Sequence, residues 1–336
     1  MKEPNVKLGI EAALLVGGAV LAAGSASVAN AGTPDWPNRP VTMVVPTAAG
    51  GTLDLVGRIL GPRLSELLGK PVVIENVGGT GGVIGASRIA KSVPDGHQIL
   101  LGTGGTQAQS QSIYRRPPYD ALADFSAVTL LVKMPVVLTA RKDLPVTNLH
   151  EFTAYAKANQ GTMQYGSPGA ASGPHLACAL LNAVIGISVT HLPYRGGAQA
   201  LQDLIAGRTD YQCMLAGIAI PPIEGKLINP IAVLSEERSA ALANVPSARE
   251  QGLDDLEAGD WLGLFVPTGT PAEIIHKLHV AASEGLDHPA VSQRLQEIGA
   301  SIVPRERRGP EYLRDFLPNE IAKWAEVVKK AKVQAD

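Results

Sequence analysis

Short apolar runs alternate along the chain with longer segments whose apolar positions recur at helical spacing. The short runs lie at 41–45, 72–76, 98–102, 127–132, 136–140, 163–166, 189–192, 211–215, 228–233 and 262–266, and they read as strands. The longer segments, 53–68, 83–92, 149–159, 175–185, 198–206 and 271–285, read as helices. The chain then turns wholly helical, at 290–298 and 312–330. Alternation of this kind predicts the α/β class, with parallel sheets and crossover helices.

Two stretches interrupt the rhythm, Met134-Pro135 and Ala258-Gly259-Asp260. The residues between them make a self-contained α/β unit. A chain that leaves one domain, builds a second and returns must cross twice, here through the strands at 136–140 and 262–266. Two crossings make a hinge that opens and closes a cleft. The expected organisation is one lobe from 32–134 and 260–336, a second from 135–259, and a ligand cleft between the lobes.

Residues 1–31 read as a secretion signal. Lys2 and Lys7 precede an apolar stretch at 8–23, broken by Glu11, and Ala29-Asn30-Ala31 supplies an A-x-A cleavage site. The stretch is rich in Ala and Gly and interrupted by a charge, which makes it a poor membrane span. The expected location is the periplasm. The remaining residues, 32–336, suit two domains of ~150 residues each. A net charge of −2 and 4% aromatic residues offer neither a basic surface nor stacking platforms, so no nucleic-acid partner is expected. Cys178 and Cys213 either pair or stand as buried apolar thiols. Their positions on different predicted elements favour two thiols.

The candidate chemistry lies in loops that follow strands. Ala48-Ala49-Gly50-Gly51-Thr52-Leu53-Asp54 joins the first strand to the first helix. A glycine turn that runs into a helix N-terminus exposes N–H groups and the positive end of the helix dipole, a site for an anion. Asp54 reads as the helix N-cap rather than a general base. Gly102-Thr103-Gly104-Gly105-Thr106 follows the third strand, and Thr103 and Thr106 offer hydroxyls there or simply cap the turn. The loop from Tyr165-Gly166-Ser167 through Gly169 to Ser172-Gly173-Pro174-His175 repeats the device in the second unit, with Ser172 as cap and Pro174 in the first turn. His175 is a ligand group or a plain first-turn residue. In Pro193-Tyr194-Arg195-Gly196-Gly197, Arg195 is the one strong cation at a cleft-side strand end. It forks onto a carboxylate or stands as an exposed loop arginine.

Other chemistries lack their residues. Gly78-Gly79-Thr80-Gly81-Gly82 is not a G-x-G-x-x-G fingerprint, since position 84 is Ile84, and no G-x-x-x-x-G-K-[ST] occurs. There is no G-x-S-x-G, H-E-x-x-H or C-x-x-C, so neither catalysis nor a cofactor is expected. Glu273, His276 and His279 share a helix, but mixed polar residues at that spacing read as a solvated face, and no metal site is expected.

In combination these segments resemble the Bug receptors, the extracytoplasmic solute receptors of the tripartite tricarboxylate transporter family. The resemblance runs from about Trp36 to Val328. It is carried by Trp36-Pro37-Asn38-Arg39-Pro40, Val44-Val45-Pro46, Ala49-Gly50-Gly51 to Asp54, Pro94-Asp95-Gly96, Leu100-Leu101-Gly102-Thr103, Pro118-Tyr119-Asp120 and Asp124-Phe125. Tyr165-Gly166-Ser167, Gly169, His175-Leu176, Pro193-Tyr194-Arg195-Gly196, Trp261-Leu262-Gly263-Leu264-Phe265-Val266-Pro267 and Gly269-Thr270-Pro271 continue it. The resemblance implies a two-lobed periplasmic-binding-protein-like fold with a hinge. It also implies a carboxylate captured, partly through ordered water, by the loop after the first strand, with Ala48, Ala49, Gly50, Thr52 and Asp54 on one side, to which the reading of the third loop adds Thr103. Gly166, Ser167, Gly169, Ser172, His175, Tyr194, Arg195 and Gly196 would hold it on the other. The implied partners are a small-molecule carboxylate and the membrane permease subunits of a tripartite transporter, with the receptor itself monomeric. Three positions depart from the family pattern: Thr47 in place of Phe, Gly104 in place of Asn, and Met214 where an acidic residue is frequent. They imply a larger, softer pocket and a bulkier ligand, such as an aromatic or chlorinated carboxylate. The alternative functions are a sensor that relays carboxylate occupancy to a signalling partner, and a periplasmic hydrolase.

Overall fold

The computed structural model describes residues 35–254, 256–331 and 333, so the expected signal at 1–31 lies outside the described residues. In chain order the elements begin β1 (Val41–Val45), α1 (Thr52–Leu68), β2 (Val72–Asn76), α2 (Val83–Ala90), β3 (Gln98–Thr103), α3 (Ser110–Ile113) and β4 (Phe125–Met134). They continue with β5 (Val136–Arg141), α4 (Leu149–Asn159), β6 (Gln164–Ser167), α5 (Gly173–Ile185), β7 (Thr190–Pro193), α6 (Gly197–Ile205), β8 (Tyr211–Leu215), α7 (Ala216–Glu224) and β9 (Ile228–Val233). The chain returns through β10 (Asp260–Pro267) and ends with α8 (Ala272–Asp287), α9 (Pro289–Glu297), β11 (Ser301–Ile302) and α10 (Pro310–Ala331).

Two sheets result. One has the order β11-β4-β10-β3-β1-β2, the other β7-β6-β8-β5-β9. Neither is purely parallel, which corrects the expectation from the alternating pattern. β1 runs parallel to β2 and β3, and β6 parallel to β7 and β8. The strands that carry the chain between the sheets run against their neighbours. β10 is antiparallel to β3 and β4, and β5 is antiparallel to β8 and β9. The cause is the path of the chain. β4 passes through Pro135 straight into β5, and β10 comes back beside β4 with Asp260 opposite Met134.

α1 shows how the sequence builds the elements around the cleft. Val56, Ile59, Leu60, Leu64 and Leu68 recur at helical spacing and are all buried. Each contributes about 1.5–3 kcal/mol. Gly69 then stops the helix in a left-handed conformation (φ 71°), its N–H donating to the Glu66 carbonyl at 3.3 Å.

α7 escaped the sequence reading because it is apolar all round and contains Pro221 and Pro222, which read as a loop. The two cysteines are a second correction. α5 crosses β8 so that Cys178 and Cys213 lie with their Cα atoms 5.5 Å apart, and they form a disulfide. Residues 35 apart in sequence, on different elements, thus meet because helix and strand pack face to face. No helix among the described residues is long and apolar enough to cross a membrane.

Candidate functional site

Beyond the ends of β1, β3, β6 and β8 the two sheets face each other across a cavity of about 40 Å³. Four helices begin on it. Gly51, Thr52 and Leu53 bring the N-terminus of α1, and Ser172, Gly173 and Pro174 that of α5. Gly197 opens α6, and Leu215 and Ile218 bring the start of α7. Ser172 caps α5 by accepting from the His175 N–H at 3.3 Å. Gly51, Gly196 and Leu215, at the same place in α1, α6 and α7, give no side-chain oxygen to the first turn. Those first-turn N–H groups have no partner within their own helices.

The electrostatics follow from this arrangement. None of the described residues lining the cavity is Lys, Arg or His. Positive potential comes from helix ends, each worth about 0.3–1 kcal/mol to an anion and more when partly buried. Two lining side chains among the described residues have polar atoms buried without a partner: the Thr52 hydroxyl, and both amide atoms of Gln212, the second residue of β8. An orphaned buried amide is costly, and a ligand that met it would recover that cost. Asp260 is the one acidic residue of the lining. Its Oδ1 accepts from the Gly104 and Trp261 N–H groups, each at 2.9 Å. Burial pushes its carboxyl up to about 7, against the pull of those two N–H donors and with help from the nearby Glu320 anion.

The walls touch. The Ala48 N–H donates to the Arg195 carbonyl at 3.3 Å. Glycines make this approach possible: a Cβ on Gly81 would lie 2.1 Å from the Ala170 carbonyl oxygen, and one on Gly217 2.8 Å from Cγ2 of Thr52.

Among the expected site residues, Thr52, Thr103 and Ser172 line the cavity. Thr103 and Thr106 brace each other's N–H groups with their hydroxyls at 3.1 and 3.0 Å. Ala48 and Gly196 meet at the seam between the walls, and Ala49 and Gly50 are exposed beside it. Asp54 is buried behind the turn at the third position of α1, not at its cap. It accepts from Gly50 N–H at 2.9 Å and pairs with Arg58 at 2.9 Å. Burial works to raise its carboxyl, but the Arg58 and Gly50 hydrogen bonds outweigh that and hold it below its ordinary value. Gly166, Ser167, Gly169 and His175 lie buried behind the lining. Ser167 is held by His191 Nε2 at 2.7 Å and by the Gly169 N–H at 3.1 Å. His175 stacks on His191 with ring centroids 4.1 Å apart, and burial, then His191, pull it down to about 3. The Tyr194 hydroxyl donates to Asp203 at 2.7 Å. The Arg195 side chain is exposed, because the seam uses its carbonyl and leaves the guanidinium on the outside.

Sequence reasoning missed Gln212, Leu215, Ile218 and Asp260 in the lining. Gln212 carried a signal, as the lone amide inside the buried run Tyr211–Leu215. Thr47 and Met214 line the cavity as two of the three departures. The third does not enlarge it. A Cβ on Gly104 would sit 2.6 Å from Asp260 Oδ1, so the space at that position is filled by the Asp260 carboxyl. Glu273 and His276 are exposed on α8, and no group of three or more His, Cys, Asp or Glu placed to hold a metal occurs among the described residues.

Two mixed α/β lobes, two crossings and an anion-suited cleft define the class of periplasmic solute-binding proteins. The chain belongs to the TctC family, the tripartite tricarboxylate transporter family receptors, whose pattern matches residues 56–333. It is similar to the periplasmic binding protein BugD, with 34% identity, a TM-score of 0.86, and coverage of 90% of this chain and 100% of that one. MatC from Rhodopseudomonas palustris, with bound malate, shares 37% identity at a TM-score of 0.85, over 87% of this chain and all of MatC. Rpa4515 from R. palustris, with adipate, shares 34% identity at 0.84, over 89% and 99% of the two chains.

Proposed function

We propose that this protein is a periplasmic receptor, not an enzyme, that captures a short organic dicarboxylate in its cleft and presents it to the permease subunits of a tripartite transporter. One observation carries the reading: the uncapped N-termini of α1, α6 and α7 converge with α5 on a cavity that no cation among the described residues lines. α1 belongs to one sheet, and α5, α6 and α7 to the other. Donors on opposite walls suit a ligand with an anionic group at each end. The malate and adipate of the two R. palustris structures have that form.

A cavity of about 40 Å³ accommodates roughly three water-sized bodies at 10–15 Å³ each, so the walls must part to admit any solute. The lobes, 32–134 with 260–336 and 135–259, would part about β4–β5 and β10. The malate and adipate of the two relatives, rather than the closed volume, favour a short dicarboxylate over the aromatic ligand that the residue departures implied. Secretion through the leader at 1–31 would place the receptor where a permease is accessible.

A thermal-shift panel of mono- and dicarboxylates, sugars, nucleotides and cationic amines tests the reading. A dicarboxylate at ~100 times its dissociation constant should add ~2.7 kcal/mol of stability, and the other classes nothing. A rise in melting temperature with sugars or nucleotides alone would sink it.

A further inference from the structure

We propose that Asp260 holds the ligand as a hydrogen-bond donor, in its protonated form, so that binding a dicarboxylate takes up one proton. This rests on the carboxylate reading above. The two oxygens of Asp260 have different work. Oδ1 already accepts two backbone N–H groups, at 2.9 Å each. Oδ2 reaches the first turn of α5, where a Cβ on Gly173 would lie 2.5 Å from it. Gly173, Ser172 and Asp260 line the same cavity, so a proton on this carboxyl belongs on Oδ2, on the side where a ligand enters.

The groups around Asp260 do not hold it ionised. On the cleft side no cation lines the cavity among the described residues. His175, on α5, is pulled down to about 3 by burial and by His191, and is neutral. On the far side Asp260 also borders a groove of about 590 Å³ that contains Lys133 of β4, Glu237, Arg238, Glu257, and Glu320 and Lys323 of α10. Of these, Glu320 acts on Asp260, and as an anion it disfavours a second negative charge. The α5 N-terminus favours one anion. When a ligand carboxylate occupies that helix end, an ionised Asp260 beside it would repel it. Water reaching the open cleft supplies the proton, Oδ2–H forms, and it donates to the ligand carboxylate.

The sign of the pH dependence follows. The free carboxyl is raised to about 7, and a bound anion raises it further. Below about pH 7 both forms carry the proton and affinity is flat. Above it, binding must take up a proton, and affinity falls about tenfold per pH unit until the raised value is reached. Malate, succinate and adipate serve as probes because their own carboxyls are ionised above about pH 6.5, so a fall in affinity above pH 7 does not come from the ligand.

Calorimetry from pH 6 to 9, in buffers of different ionisation enthalpy, measures affinity and proton uptake together. The expected result is uptake approaching one proton at pH 8–8.5. Asp260→Asn, which keeps a donor at Oδ2, should bind within about fivefold of the pH 6 wild-type affinity and lose the pH dependence. Two results would overturn the inference: wild-type affinity that is flat from pH 7 to 9 without proton uptake, or a folded Asp260→Asn that no longer binds. Should that variant fail to fold, the wild-type proton count decides alone. Failure of all three probes to bind wild type at any pH overturns the carboxylate reading itself, and this inference with it.

Discussion

Gly217→Ala separates the stability of the fold from closure of the cleft. Gly217 is the second residue of α7, and its φ lies outside the left-handed region that only glycine favours. Alanine there gains up to about 1 kcal/mol of helix propensity. However, the new Cβ would stand 2.8 Å from Cγ2 and 3.1 Å from Oγ1 of Thr52. Carbon atoms in contact prefer about 3.5–4.0 Å, so the shortfall is roughly 0.7 Å or more. Thr52 is 3% exposed in the first turn of α1, across the cleft, and has little room to retreat. The clash exists only while the walls touch. Overpacking of this size costs about 1–3 kcal/mol, which falls on closure and weakens the ligand roughly five- to hundredfold. The ligand-free melting temperature should hold or rise. Calorimetry with whichever dicarboxylate stabilises wild type reads the affinity. Thr52→Ser in the Gly217→Ala background removes Cγ2, keeps the hydroxyl and should restore most of the loss, a coupling that a double-mutant cycle isolates. Unchanged affinity in Gly217→Ala, or a loss that Thr52→Ser leaves in place, would refute the argument that these two residues set the closed geometry.

Arg195→Ala should change dicarboxylate affinity by less than about threefold, because the guanidinium is exposed and the seam uses only the backbone carbonyl of this residue. A tenfold loss by calorimetry would restore Arg195 as a ligand contact. Reduction of the Cys178–Cys213 disulfide should cost up to about 4 kcal/mol by the loop-entropy relation for a 35-residue separation. The measurement is a denaturant titration with and without reductant, and coincident curves would contradict it.

The sequence revealed most of the frame and less of the site, for different physical reasons. Strands such as Val41–Val45 and Ile228–Val233 were legible to the residue because a short, largely buried apolar run stands between turn-forming segments. Strand direction was not legible. Alternation implies parallel neighbours, but β5 and β10 take their direction from the crossings between the sheets. α7 was hidden by its prolines and uniform apolarity, and with it went Ile218 and one of the four helix ends on the cavity. Loops that present backbone N–H groups were easy to find from glycine and cap residues. Which side chains point at the ligand was not, since Arg195 and Ser167 sit on those loops and face away from the cavity.

Position 104 shows why such a site resists reading one residue at a time. A glycine where the family resemblance leads one to expect asparagine invites the inference of a larger pocket. Yet the volume at Gly104 belongs to Asp260, 156 positions further on, whose Oδ1 accepts the Gly104 N–H at 2.9 Å. The two residues are one feature: any side chain at 104 would collide with that carboxyl, and without the carboxyl the Gly104 N–H would lose its acceptor. Gly173 stands in the same relation to Oδ2. Glycines on two different loops thus make space for one buried acid between four helix ends. An exchange at any of the three positions should alter the ligand's surroundings through Asp260, so selectivity in this cleft is a property of the trio rather than of any loop motif.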